Sequence, residues 1–218
     1  MTMLETIIQK DGFNAAPLQI PSVSFSQNEI LHSILHLNNL VTFDADLTYG
    51  NGGFYKSIPM PKHRFDIDES LENCINASST NTPLADKSIM SCIFDPPFLT
   101  YVKAARQHNS IMSKRFGGYW RYDELQEHYT QTIKEAHRIL AHKGVFVIKC
   151  QDIIHNHKMH PTHINVVNWA DPMFRLKDLF VLSAKSRMPM PVKVGEAKRR
   201  QKHARIFHSY FLVFERNK

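Results

Sequence analysis

"SCIFDPPFLT", residues 91–100, is the stretch on which the fold turns. A mostly apolar run passes straight into Asp-Pro-Pro-Phe. Proline cannot continue a sheet, so Pro96 and Pro97 stop a strand here and hold the chain rigid just past its end. Asp95, the carbonyl of Pro96 and the ring of Phe98 are thereby fixed at a strand terminus. Taken alone, these four residues read equally well as a strand followed by a stiff loop. What lies before and after them separates the two readings.

Upstream, "SQNE" (26–29) has the Ser-x-x-Glu form of a capping box and opens a helix through about Leu37. "NLVTFDA" (39–45) reads as a buried strand running into "DLTYGNGGFYK", where Gly50, Gly52 and Gly53 crowd one turn. "HRFDID" (63–68) is a short strand ending in acids. Downstream, "YDELQEHYTQTIKEAHRIL" (122–140) places Leu125, Tyr129, Ile133, Ala136 and Leu140 at helical spacing, with Lys143-Gly144 as its stop. "GVFVIKC" (144–150) is an apolar strand, "THINVVNWA" (162–170) a helix, and "DLFVLSA" (178–184) and "IFHSYFLVFE" (206–215) two closing strands that can pair antiparallel. Strands alternating with helices imply a largely parallel sheet covered on both faces. Ligands on such sheets bind beyond the carboxyl ends of the strands. Those ends carry "DLTYGNGG", "FDID", "DPPF" and "KCQD", which makes one polar rim the candidate site.

Composition narrows the partners. The 218 residues are 43% hydrophobic and 22% charged, ordinary for one globular α/β domain spanning 1–218. No apolar run approaches the roughly 20 residues of a membrane span, and the N-terminus has no signal-peptide pattern. Cys74, Cys92 and Cys150 are too scattered for a disulfide framework or zinc site, which points to a reducing, cytoplasmic setting. The net charge of +7 is concentrated in 185–205, where eight cations face the single acid Glu196. Such a stretch suits phosphate backbones, against the plain alternative of a solvated loop.

The glycine turn fits neither G-x-G-x-x-G nor the P-loop pattern, so it is not a phosphate cradle. A short glycine-rich loop after the first strand, with an acid after the second, suits a nucleoside-like cofactor. Asp66 or Asp68 can accept hydrogen bonds from both ribose hydroxyls.

With that ordered set in place, the chain resembles the S-adenosylmethionine-dependent amino-methyltransferases, which methylate exocyclic amines of nucleic-acid bases. Their Asp/Asn/Ser-Pro-Pro-aromatic signature is matched by Asp95-Pro96-Pro97-Phe98, their cofactor loop by "DADLTYGNGGFYK", and their ribose-binding acid by Asp66. "RFGGYWRYDEL", "GVFVIKCQD" and "HARIFHSYFLVF" look like compact phage-type and bacterial enzymes of this kind. The resemblance implies a Rossmann-like seven-stranded methyltransferase fold: α/β, mostly parallel and doubly wound, with an antiparallel strand at the end. It implies S-adenosyl-L-methionine as cofactor, held by Asp44, Asp46, Tyr49, Gly50, Gly52, Gly53, Phe54, Asp66 and Ser78. Ser78 stands where the family often has an acid for adenine, a departure that leaves that contact to hydroxyls or backbone.

The resemblance also explains the prolines. A base's exocyclic amine is a poor nucleophile because its lone pair is delocalised into the ring. Asp95 and the Pro96 carbonyl can each accept one amine hydrogen, pulling the lone pair out of conjugation. Phe98 stacks on the base, which must leave a duplex to be reached. The expected reaction is methyl transfer to adenine N6 in DNA. The alternatives are an RNA base, guanine N2 or adenine N6, and a non-catalytic cofactor- and nucleic-acid-binding regulator. Lys198, Arg199, Arg200, Tyr119 and Trp120 are the candidate substrate contacts. With no long segment left for a separate recognition domain, target choice falls to loops at 99–121, 152–163 and 185–205, or to a second copy or partner. "HNHKMHPTH" (155–163) is expected as a polar loop rather than a metal site, its spacing matching no standard pair. Asp152 reads equally as a ligand contact or a helix cap.

Overall fold

The computed structural model describes residues 19–68, 71, 73–98, 100, 121–184 and 202–218. Tyr119, Trp120, Lys198, Arg199 and Arg200 lie outside the described residues, as do most of the basic stretch and the loop after Phe98.

The helix α1 (Gln27–Leu37) begins where the capping box places it: the Ser26 hydroxyl accepts from the Glu29 amide at 3.4 Å. Glu29 does not reach back to Ser26. Its carboxylate accepts from the Ser24 hydroxyl at 2.5 Å, tying α1 to strand β1 (Val23–Ser24). After α1 come β2 (Ala45–Asp46), β3 (His63–Asp66), β4 (Ile75–Asn76) and β5 (Ile89–Phe94). Then follow α2 (Tyr122–Ile139), β6 (Leu140–Cys150), a hairpin of β7 (Ile153–His155) and β8 (Lys158–His160), α3 (Thr162–Ala170), β9 (Phe174–Ser183) and β10 (His208–Arg216).

The sheet runs β1-β9-β10-β6-β5-β2-β3-β4. Every pairing is parallel except those of β10, which is antiparallel to both β6 and β9. The sheet is therefore mixed and mostly parallel, as expected, and β9 and β10 pair antiparallel on either side of the basic stretch. The antiparallel strand is last in chain order but sits inside the sheet.

Strand alternation divides the core. Cys92, Phe94, Phe146, Ile148, Cys150, Leu212 and Phe214 pack toward α2 and α3. Ile93, Val145, Val147, Phe211 and Val213 pack toward α1. The same parity sends Asp95, one residue past β5, and Lys149, next to last in β6, to the α1 side at the carboxyl edge.

Several boundaries differ from expectation: β9 begins at Phe174 rather than at 178, and three further differences have local causes. The strand expected over 39–45 shrinks to Ala45–Asp46, because Asn39 turns at a φ of 53°. α2 ends at Ile139 and the chain enters β6 at once; a register shift between Ile89 and Ser91 and a φ of 62° at Lys143 absorb the extra residues. The loop expected at 155–163 is a hairpin followed by the start of α3, turning on Asn156 and His157 at φ 50° and 59°. Among the described residues, no helix is long and apolar enough to cross a membrane.

Candidate active site

A cleft of about 220 Å³ opens at the carboxyl ends of β2 and β5, lined by Gln27, Asp46, Thr48, Tyr49, Gly53, Phe54 and Asp95. The glycine loop and the Asp-Pro-Pro-Phe terminus, far apart in sequence, thus face one space. Thr48 joins them directly: its hydroxyl accepts from the Asp95 amide at 2.7 Å.

The loop is shaped by glycine where it must be. Gly50 and Gly52 adopt φ of 54° and 68°, and a Cβ on Gly52 would stand 2.7 Å from the Tyr49 hydroxyl. Only glycine enters this conformation cheaply. Asp66, at the end of β3, braces the loop: its carboxylate accepts from the Gly50 amide at 2.8 Å and the Asp68 amide at 2.9 Å. It stands beside the loop, outside the cleft lining.

Asp46 is nearly sealed from water, with 1% exposure. It accepts from the Thr48 amide at 2.9 Å and the Tyr55 hydroxyl at 2.8 Å. Burial raises its pKa to about 7; those two donors pull the other way, while the charges of Asp95 and Asp66 add to the rise. Asp95 is also raised by burial, and Lys149 opposes the shift. The Lys149 ammonium lies 3.2 Å from Asp95 Oδ2 and 3.0 Å from Gln27 Oε1. It also sits over the rings of Phe54, Phe98 and Phe211, at 5.0, 5.9 and 5.6 Å from their centres. Carboxylates with aromatic faces make the cleft suited to a cationic ligand. Lys149 is the opposing charge, standing behind the lining residues Gln27, Phe54 and Asp95.

Two further expected contacts, like Asp66, lie outside the cleft lining. Asp44 turns its carboxylate onto β5, accepting from the amides of Met90 at 2.8 Å and Ser91 at 3.0 Å, so it sets strand register. Ser78 is held in a local turn, its hydroxyl 2.8 Å from that of Thr80. Asp152 caps α3 from outside: Oδ1 accepts from the His163 amide at 3.2 Å and lies 2.7 Å from its Nδ1. Gln27, Thr48, Tyr55, Lys149 and Phe211 were missed as site residues. A lysine inside the apolar run "VFVIKC" was the available signal, since a strand residue of the wrong polarity needs a partner. Among the described residues, no group of His, Cys, Asp and Glu could hold a metal ion.

No protein-family model matches the chain, and no curated protein matches it by sequence. Solved structures do match. TrmN from Thermus thermophilus superposes with a TM-score of 0.50 at 13% identity, covering 87% of this chain and 48% of its own. A "putative sarcosine dimethylglycine methyltransferase" from Galdieria sulphuraria gives 0.50 at 14% identity, covering 87% and 85%. A "Putative DNA Modification Methylase", also from Thermus thermophilus and complexed with S-adenosyl-L-methionine, gives 0.41 at 16% identity over 62% of this chain and 51% of its own. The chain spans about half the length of the Thermus proteins it matches. At these identities the likeness is one of fold, and the fold is the Rossmann-like methyltransferase fold.

Proposed function

We propose that the protein transfers a methyl group from S-adenosyl-L-methionine to the exocyclic amine of a nucleic-acid base, adenine N6 in DNA. The observation that carries this reading is that one cleft is lined both by the glycine loop, through Tyr49, Gly53 and Phe54, and by Asp95, the first residue of Asp-Pro-Pro-Phe. The cofactor fits what is there: a cationic sulfonium suits a cleft bordered by Asp46 and Asp95, and the Gly50–Gly53 turn lets the backbone come close. Asp66 would hold the ribose with the lone pairs its amide donors leave free. Bound there, the cofactor supplies an electrophilic methyl group.

The residues of this chain supply orientation. Asp95 Oδ2 is engaged by Lys149, which leaves Oδ1 to accept an amine hydrogen. The Pro96 carbonyl accepts the other, and Phe98 stacks on the base. As the nitrogen–carbon bond formed and the methyl–sulfur bond broke to leave a neutral thioether, positive charge would grow on nitrogen, the Asp95 carboxylate would stabilise it, and the amine proton would then pass to water.

The test is nucleoside mass spectrometry on DNA and RNA incubated with enzyme and labelled cofactor, for wild type and Asp95→Ala. We expect labelled N6-methyladenine from DNA and a loss of about 10²–10³ in single-turnover rate for the variant, with cofactor affinity by calorimetry little changed. Wild-type turnover by Asp95→Ala would remove this strand end from the chemistry.

A further inference from the structure

The carboxyl edge does not end at the cleft. β6 brings Lys149 against Asp95 at its border, then leaves the sheet at Cys150 and enters the β7–β8 hairpin. Gln151 Nε2 donates to the His208 carbonyl at 2.6 Å. The Tyr210 hydroxyl donates to Asp152 Oδ2 at 3.3 Å, and its ring stacks on His163 at 4.1 Å. The hairpin is fastened to the lead-in of β10 as well, for His203 Nε2 donates to the His157 carbonyl at 2.9 Å. Two segments remote in sequence therefore form one shoulder. Neighbouring strands are spaced about 4.8 Å apart, so β10 lies roughly 10 Å across the sheet from Asp95's strand.

The charge of this shoulder is one-sided. No acid occurs in 153–170 or in 202–214. Asp152, the carboxylate beside it, is buried and consumed by His163 and Tyr210. Lys158, Lys202 and Arg205 are exposed, and no ion pair joins them to any carboxylate among the described residues. Arg138 and Arg175 differ, each being held by glutamate. Unneutralised cations on a braced, acid-free surface next to a cleft are what a polyanion requires.

We infer that the β7–β8 hairpin and the lead-in to β10 form a docking shoulder for the phosphate backbone of DNA, with Lys158, Lys202 and Arg205 as its phosphate contacts. The inference rests on the reading of the cleft as a site for a nucleic-acid base. The shoulder grips the strand from which the target base is presented, which supplies affinity without sequence readout.

The experiment is fluorescence anisotropy of labelled single-stranded DNA across a salt series, for wild type, for K158Q/K202Q/R205Q, and for K134Q, an exposed lysine of α2, as control. Each phosphate contact contributes a log–log slope of about −0.7 on single strands, so the triple variant should flatten the slope by about 2 and K134Q should leave it alone. Melting temperature and cofactor affinity should stay at wild-type values, since all three side chains are exposed. An unchanged slope in the triple variant would overturn the shoulder and leave the cleft reading standing. Shoulder-dependent binding of RNA with none of DNA would overturn the assignment to DNA. Binding of cofactor with neither nucleic acid would remove both readings.

Discussion

Asp46 has the least water of any acid at the cleft, and that makes it a pH sensor of the fold. Its pKa rises from an ordinary 3.8 to about 7. Between those values the folded protein holds a proton that the unfolded chain has released. Stability from this group is therefore full below about pH 4 and is lost as pH rises through 7. Asp46→Asn removes the titration and keeps an acceptor for the Thr48 amide. Relative to wild type, the variant should gain about 3 kcal/mol on going from pH 5 to pH 8. Denaturant unfolding of both proteins at the two pH values measures it, and an equal difference at each would mean that Asp46 ionises like an exposed acid. The same linkage means a cation bound in the cleft favours ionised Asp46, so its affinity should rise over this range.

At the scale of elements, α2 is locked to the turn before β5 by one acid. Glu135 is buried, and its Oε1 accepts from the Thr82 amide and hydroxyl at 2.7 Å each. Arg138 donates to both Glu135 oxygens, to the Leu84 carbonyl at 2.8 Å and to Asp86. Burial works to raise the Glu135 pKa, but the Arg138 and Thr82 donors outweigh it and the net direction is down. Stability from Glu135 is thus present above its unfolded pKa and lost as pH falls through the folded one. Glu135→Ala strands these donors and should cost about 3 kcal/mol at neutral pH, with Glu135→Gln intermediate. A variant as stable as wild type would show the clamp to be idle. This clamp was not legible in the sequence, because it pairs residues 82 and 135, which no local pattern links. Elements with strong local signals were legible: α3 falls on the expected 162–170, and β5 ends at Phe94, just before the Asp-Pro-Pro stop. The strand over 39–45 misled because its apolar residues serve a turn, with Phe43 buried beneath α1. The hairpin was hidden by its histidines, although Asn156 in a two-residue turn was the local clue. In the candidate site, the glycine turn and Asp-Pro-Pro-Phe were readable because backbone constraint shows in residue type. Lys149 and Gln27 were not, since they reach the cleft only through strand parity and helix placement.

At the scale of the whole molecule, the antiparallel strand divides the sheet into two assembly units. β5 and β6 pair across α2, and β9 and β10 pair across the basic stretch. The bond between units is the β6–β10 ladder, which sets Cys150 against Tyr210 and Val145 against Glu215. Closing it brings together parts of the chain that neither unit needs for its own pairing, so entropy places it late in folding. The Gln151–His208 and Asp152–Tyr210 bonds cross this seam. The cleft walls at Asp46 and Asp95 belong to one side of it. In pulse-labelled hydrogen exchange during refolding, the β5 amides should be protected before those β6 and β10 give each other; simultaneous protection would show a single assembly unit. A chain caught before closure would present the open edge of β6 to any other strand, its own unpaired β10 or that of a second molecule. Exchange of that strand between two copies is then the natural misassembly of this protein, and concentrated refolding is where it would surface.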